Sequence, residues 1–103
     1  MPAPYMDLNP KKGSFWEHQV GRRDVVFVSH PEKPKLCIGK IEKRGRGYVW
    51  TLYEKEVPEG TTLKTEPEVA ATEKCGKITN AVFSMRQLHS VRNATDNNTM
   101  LNF

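Results

Sequence analysis

The chain has 103 residues, of which 37% are hydrophobic and 27% charged, and its formal net charge is +4. This length suits one domain and excludes two of ordinary size, and a mean hydropathy of −0.65 predicts polar, flexible ends. No apolar run approaches the roughly 18 residues of a membrane span, and no secretory signal pattern is recognisable at the start. We therefore expect an intracellular, cytoplasmic protein with no membrane partner.

Charge is distributed unevenly along the sequence. Residues 11–46 hold ten Lys or Arg and four acidic residues, whereas residues 54–73 hold six Glu and two Lys. A basic surface favours nucleic acid, an acidic protein or anionic lipid as a partner. The layout therefore predicts that the first half of the chain binds nucleic acid (DNA or RNA) or an acidic protein.

The first elements follow from Pro content and hydrophobic pattern. Three prolines and the absence of any period predict a flexible arm at 1–14. A single domain follows at 15–92, and the polar segment 93–103 is expected to be a flexible tail. Within the domain, Asp24–Ser29 contains four consecutive apolar residues, which is typical of a strand buried on both faces.

A β-hairpin is predicted next. The strand-like runs Lys35–Lys43 and Gly47–Glu54 flank Arg44-Gly45-Arg46, whose glycine can supply the positive φ of a two-residue turn. The opposite, amphipathic face carries Lys40 and Tyr53 and either accepts the terminal segments or binds a partner. A loop of either two or four residues gives a register that places the following residues together on a core face: Cys37, Gly39, Ile41, Tyr48, Trp50 and Leu52.

Two helices are predicted after the hairpin. Thr65 can cap the first, with Glu68 at the capping-box position and Gly76 at its end. Apolar residues then recur at helical spacing over Thr79–Val91, although residues 80–85 (NAVFSM) also fit a strand. The sequence thus predicts an α+β fold, with a small antiparallel sheet of about three strands (β-β-β) followed by one or two C-terminal helices and flanked by flexible termini.

The Arg-Gly-Arg turn is the clearest candidate binding site. A guanidinium group binds phosphates or guanine edges through two parallel hydrogen bonds, although the same tip can simply be a solvated turn that protects a strand edge. Tyr53 is a candidate for stacking on a base, whereas Tyr48 and Trp50 are assigned to the core. The predicted nucleic-acid-binding residues are Arg22, Arg23, Lys35, Lys40, Lys43, Arg44, Arg46 and Tyr53.

No catalytic or metal-binding motif is recognisable. His18, His30 and His89 lack the spacing that places metal ligands on one element, and neither Cys37 nor Cys75 has an adjacent base. We expect isolated histidines, free thiols, no metal, no cofactor and no enzymatic activity.

Three functional hypotheses follow. The first is a small basic accessory or regulatory protein that binds nucleic acid through the basic hairpin. The second is a protein-binding module or inhibitor, of the kind that phages and mobile elements encode, which docks on a larger host protein through its sheet face or acidic segment. The third is a structural subunit that assembles through an exposed strand edge. Sequence alone does not give the oligomeric state.

Overall fold

The computed structural model of the chain describes residues 23–61, 63 and 65–101, with side chains through residue 94. The predicted arm at 1–14 and the candidate residue Arg22 lie outside these ranges. Within them the chain forms β1 (Val25–Ser29), β2 (Leu36–Arg44), β3 (Gly47–Pro58), β4 (Val69–Cys75) and α1 (Ile78–Leu101).

The strands form one antiparallel sheet in the order β1-β2-β3-β4, and α1 packs against one of its faces. The α+β class, with an antiparallel sheet that precedes a C-terminal helix, is therefore confirmed. The described part of the chain has four strands where about three were predicted, and one helix.

The extra strand replaces the first predicted helix. Residues that were expected to form a helix after Thr65 form β4 instead, which pairs with β3 from Tyr48 to Tyr53. The Thr72 hydroxyl donates a hydrogen bond of 2.8 Å to the Trp50 carbonyl across this pair. Without β4, the outer edge of β3 would present a row of unpaired backbone N–H and C=O groups. Pairing these groups with β4 stabilises the strand more than the local capping residues Thr65 and Glu68 stabilise a helix.

The second predicted helix is confirmed as α1, and the strand alternative for residues 80–85 is wrong. Ala81 and Met85 are fully buried at a spacing of four, and His89 continues the same face. The helix ends at Leu101, well beyond the predicted end at Val91. Neither Gly nor Pro follows Val91, so the polar residues after it lower the helix propensity without ending the helix.

The predicted hairpin register is confirmed near the turn. Arg44 pairs with Gly47 and Ile41 pairs with Trp50, which leaves a loop of two residues. Gly45, the first residue of that loop, has a φ of 60°. This value lies in the left-handed region, which the turn types common in two-residue hairpin loops require at the first loop position.

The register changes farther from the turn. In the pairing of β1 with β2, Val28 lies opposite Gly39 and Ser29 opposite Cys37, so Ile38 is an extra residue. Such a bulge reverses the side-chain alternation beyond it. Ile38 therefore joins the core under α1, whereas Cys37, which was predicted to share the face of Gly39, points to the opposite face.

Both faces of the sheet carry a buried cluster. The one under α1 contains Val28, Ile38, Ile41, Trp50, Leu52, Ala81 and Met85. The second, which we call the distal cluster, lies on the opposite face and contains Val25, Phe27, Cys37, Tyr53 and Val57, with Leu63 packed against it. The amphipathic face predicted from sequence is therefore buried at these positions and does not offer them as a free binding surface.

The distal cluster should make the protein sensitive to alkaline pH. Burial raises the pKa of the Cys37 thiol from its ordinary value of 9.0 to about 12, and burial also raises the pKa of the Tyr53 hydroxyl. Both groups hold their protons more tightly in the folded state. The contribution of Cys37 is complete below about pH 9 and is lost progressively toward pH 12, whereas the loss of the Tyr53 contribution begins above its ordinary pKa of 10.0. Urea unfolding should show the free energy of unfolding falling by about 1.4 kcal/mol per pH unit for each such group.

Replacing Cys37 by alanine removes one of the two groups. The variant is expected to be less stable at neutral pH because of the cavity, yet its stability should fall less steeply above about pH 9. An unchanged slope in Cys37→Ala would contradict the assignment of this thiol to the alkaline loss.

Candidate nucleic-acid interface

Four of the predicted binding residues lie at one end of the sheet. Arg44 and Arg46 flank Gly45 at the hairpin tip, and Lys43 precedes them at the end of β2. The backbone N–H of Lys43 donates a hydrogen bond of 2.8 Å to the carbonyl of Asp24, which brings the start of β1 and the neighbouring Arg23 beside it. The side chains of these four basic residues are exposed.

Two lysines that were not predicted to bind lie at the same end. Lys74 pairs with Val49 at the end of β4, and Lys77 precedes the first residue of α1. Sequence reasoning missed them because it placed this segment at the end of a helix, away from the hairpin tip. We call the six residues together the basic end: Arg23, Lys43, Arg44, Arg46, Lys74 and Lys77.

Tyr48 separates two grooves within the basic end. One groove, of about 260 Å³, is lined by Arg23, Lys43 and Tyr48 together with Ile78 at the start of α1. The other, of about 400 Å³, is lined by Arg44, Lys74 and the same tyrosine. Tyr48 is half-buried against the core under α1 and lines both grooves.

The N-terminus of α1 adds to the positive potential at this end. The first backbone N–H groups of a helix lack intrahelical partners and carry a partial positive charge. No acidic side chain lies in the first turn of α1 to neutralise it. Asp24 and Glu42 are the nearby carboxylates, and Glu42 Oε2 lies 3.5 Å from Arg44 Nη2. Among the residues that the structure describes, the six cations of the basic end outnumber these two carboxylates.

The remaining predicted site residues lie elsewhere. Lys35 is exposed in the turn between β1 and β2, at the opposite end of β2 from the hairpin tip. Lys40 is buried, and its Nζ lies 2.7 Å from Glu66 Oε2 and 3.4 Å from Glu42 Oε1. An ammonium group enclosed by two carboxylates is not available to a phosphate.

Tyr53 also departs from the expected site. Its side chain is on the face predicted for it, but it is only 3% exposed and belongs to the distal cluster. Stacking on a base requires an open ring face, which Tyr53 does not present. Tyr48, assigned to the core from sequence, has the more open ring of the two.

His30 and His89 are not isolated as the sequence predicted, and His18 lies outside the described residues. The rings of His30 and His89 meet edge to face with centroids 4.9 Å apart, and His89 Nε2 lies 3.5 Å from Glu56 Oε1. Both cysteines are free thiols, with Cys37 buried and Cys75 half-buried.

Among the residues that the structure describes, no helix combines the length and apolar character that crossing a membrane requires. Comparison of the chain with protein-family models, with curated protein sequences and with solved structures finds no significant match. Functional inference for this chain therefore rests on the chemistry and placement of its own residues.

Proposed function

We propose that the protein is a small accessory or regulatory protein that binds nucleic acid through its basic end. The observation that carries this proposal is the gathering of six exposed cations at one end of the sheet, where four of them (Arg23, Lys43, Arg44 and Lys74) line two grooves that share Tyr48. The hairpin tip supplies two of the cations, and the ends of β2 and β4 and the starts of β1 and α1 supply the others.

Each part of the basic end suits a different part of a nucleotide. The guanidinium groups of Arg44 and Arg46 are exposed at the hairpin tip, where they can form paired hydrogen bonds with phosphates. The Tyr48 ring, placed between the grooves, offers a surface on which a base can stack. The N-terminus of α1 favours a phosphate in the groove that contains Ile78.

This arrangement predicts binding dominated by phosphate contacts. Such contacts release condensed counterions, so the logarithm of the affinity falls linearly with the logarithm of the salt concentration. If all six cations of the basic end contact phosphates of duplex DNA, the slope should be roughly −5, at about 0.9 per contact. Little sequence preference is expected, because phosphate contacts position a protein without reading bases.

The test is fluorescence anisotropy with a labelled duplex and a labelled single strand at several salt concentrations. The double variant Arg44→Gln/Arg46→Gln keeps Gly45 and therefore the turn. Its salt slope on duplex DNA should be shallower by about two units. The contact of Arg44 with Glu42 is at the surface, so its loss should change stability little.

A matched control removes two charges from the opposite end of β2. Lys33→Gln/Lys35→Gln changes the net charge by the same amount, and both lysines are exposed. The control should keep nearly the full slope. Equal salt slopes for the two double variants would contradict the assignment of nucleic-acid binding to the basic end. A wild-type protein that binds neither oligonucleotide at low salt would contradict the proposal as a whole.

A protein-binding module is a second candidate, favoured by apolar side chains on the outside of α1. Phe83 is 67% exposed and Val91 is 55% exposed. Val91 also lines a groove of about 350 Å³ between α1 and β4, together with Trp50 and Leu88. A single partner protein that is captured by the wild type, survives nuclease treatment and is lost with Phe83→Ser would support this candidate.

A further inference from the structure

A second cluster of chemically reactive groups lies at the end of the sheet opposite the basic end. His30 follows β1, Glu56 is near the end of β3, and His89 is on α1. One ligand-type atom from each of the three side chains lies within 4.8 Å of the other two. The residues are far apart in the sequence and meet only in the folded chain.

His89 supplies the strongest sign that the cluster is incomplete without a ligand. The residue is 9% exposed, and its Nε2 atom is buried without a hydrogen bond to any part of the chain that the structure describes. Glu56 Oε1, at 3.5 Å, is beyond the usual range for an N–H···O hydrogen bond. A buried polar atom without a partner is costly, and coordination of a cation would satisfy it.

Two arginines hold the three elements in place independently of the cluster. Arg86 Nη2 donates a hydrogen bond of 3.1 Å to the carbonyl of Ser29, the residue before His30. Arg92 Nη2 forms an ion pair of 2.6 Å with Glu54, which lies two residues before Glu56 on β3. These contacts fasten α1 to β1 and β3, so the ligand-type atoms stay close together without a metal.

We propose that His30, Glu56 and His89 form a binding site for a divalent transition metal of the zinc type. Two imidazole nitrogens and one carboxylate oxygen are a ligand set that Zn²⁺ accepts, with a fourth position left for water. Tetrahedral ligands at zinc distances lie about 3.4 Å apart, so the atoms of the cluster need to close by little more than 1 Å, roughly the margin that a side-chain adjustment provides. Mg²⁺ prefers oxygen ligands and should not bind.

Metal binding by His30 requires a change in the hydrogen bonds of its ring. Its Nδ1 atom accepts hydrogen bonds from the backbone N–H groups of Glu32 at 3.0 Å and Lys33 at 3.1 Å. In the neutral ring the proton is then on Nε2, the nitrogen left for the metal. When zinc binds at Nε2, the ring proton moves to Nδ1 and the two backbone hydrogen bonds are lost. Metal binding therefore loosens the turn between β1 and β2.

The experiment uses the full chain with Cys75→Ser, which removes the half-buried thiol as a competing zinc ligand. Isothermal titration calorimetry with Zn²⁺ should give one ion per chain, and Mg²⁺ should give no heat. The backbone amide signals of Glu32 and Lys33 in an NMR spectrum should move on addition of zinc. The melting temperature should rise with zinc, because a ligand that binds the folded state stabilises it.

Two exposed glutamates of the sheet provide a matched pair of variants. Glu56→Gln replaces an exposed ligand with a near-isosteric side chain, so folding should survive while the zinc affinity falls at least tenfold. Glu73→Gln, at an exposed position on β4, changes the charge identically but removes no ligand, so the affinity should stay within about twofold. His89→Gln should abolish binding. Absence of zinc binding in the parent chain, or an equal loss in the two glutamate variants, would overturn the proposal.

Discussion

Replacing Gly39 by alanine should prevent the protein from folding. A Cβ atom at this position would overlap the carbonyl oxygen of Thr51 and lie 2.6 Å from Cε of Met85. The methionine can adjust its side chain, but the carbonyl belongs to β3 and cannot move without breaking the pairing between the strands. Overpacking in a core usually costs 1–3 kcal/mol, and a clash with backbone should cost more. Circular dichroism and an NMR spectrum of the variant should show an unfolded or molten chain.

Gly76 provides the matched control for this substitution. A Cβ atom at Gly76 would meet nothing within 4 Å, and its φ lies outside the left-handed region. Gly76→Ala should therefore stay within about 1 kcal/mol of the wild type. A Gly39→Ala protein that folds with the melting temperature of the wild type would show that β2 and β3 lie farther apart than in the structure described above.

Replacing Trp50 by alanine is expected to have the second-largest effect. Trp50 is 3% exposed and lies in the cluster under α1, where it pairs with Ile41 across the hairpin. Truncation of a buried aromatic residue to alanine costs roughly 3–5 kcal/mol, and domains of this size are stable by about 5–15 kcal/mol in total. Urea unfolding should show that the variant has lost most of its stability.

Phe83 is the corresponding exposed aromatic residue. Its side chain is 67% exposed on α1, so Phe83→Ala should change the free energy of unfolding by no more than about 0.5 kcal/mol. If Trp50→Ala and Phe83→Ala unfold at similar urea concentrations, Trp50 is not part of the core and the register of the hairpin is wrong.

Local signals explain which parts of the fold could be predicted from sequence. The hairpin was predictable because Gly45 is bounded by two runs with high strand propensity, and the turn itself fixes the register nearby. The periodicity of Ala81, Met85 and their neighbours predicted α1 for the same reason. In both cases the information lies within one continuous segment of the sequence, Lys35–Glu54 for the hairpin and Thr79–Val91 for the helix.

Non-local interactions explain the parts that were missed. Thr65 and Glu68 form a capping pattern that favours a helix, but the residues that follow pair with the open edge of β3 and form β4. Nothing in the sequence near Ile38 marks it as a bulge, because the irregularity is defined only by the pairing of β2 with its two neighbours, and both pairings shift register between Cys37 and Gly39. A single inserted residue was enough to place Cys37 on the other face.

The candidate sites also divide into residues that local sequence predicts and residues that only the folded chain brings together. Arg44 and Arg46 could be predicted because they belong to the turn, whereas Lys74 joins them only through the pairing of β4 with β3. Lys40 has the sequence context of an exposed strand residue, and its burial depends on Glu66 from the connection between β3 and β4. His30 and His89 meet through the packing of α1 on the sheet, which no spacing rule in the sequence reveals.

The order of the strands also has a consequence for how the chain folds. Each strand pairs with its neighbour in the sequence, so the sheet assembles through short loops that close at low entropic cost, and such topologies fold faster than those that join distant strands. The β2–β3 loop, with two residues, is the shortest of them. Arg44 and Arg46 are therefore displayed together as soon as this hairpin forms, while Lys74 and Lys77 join them only after β4 has docked.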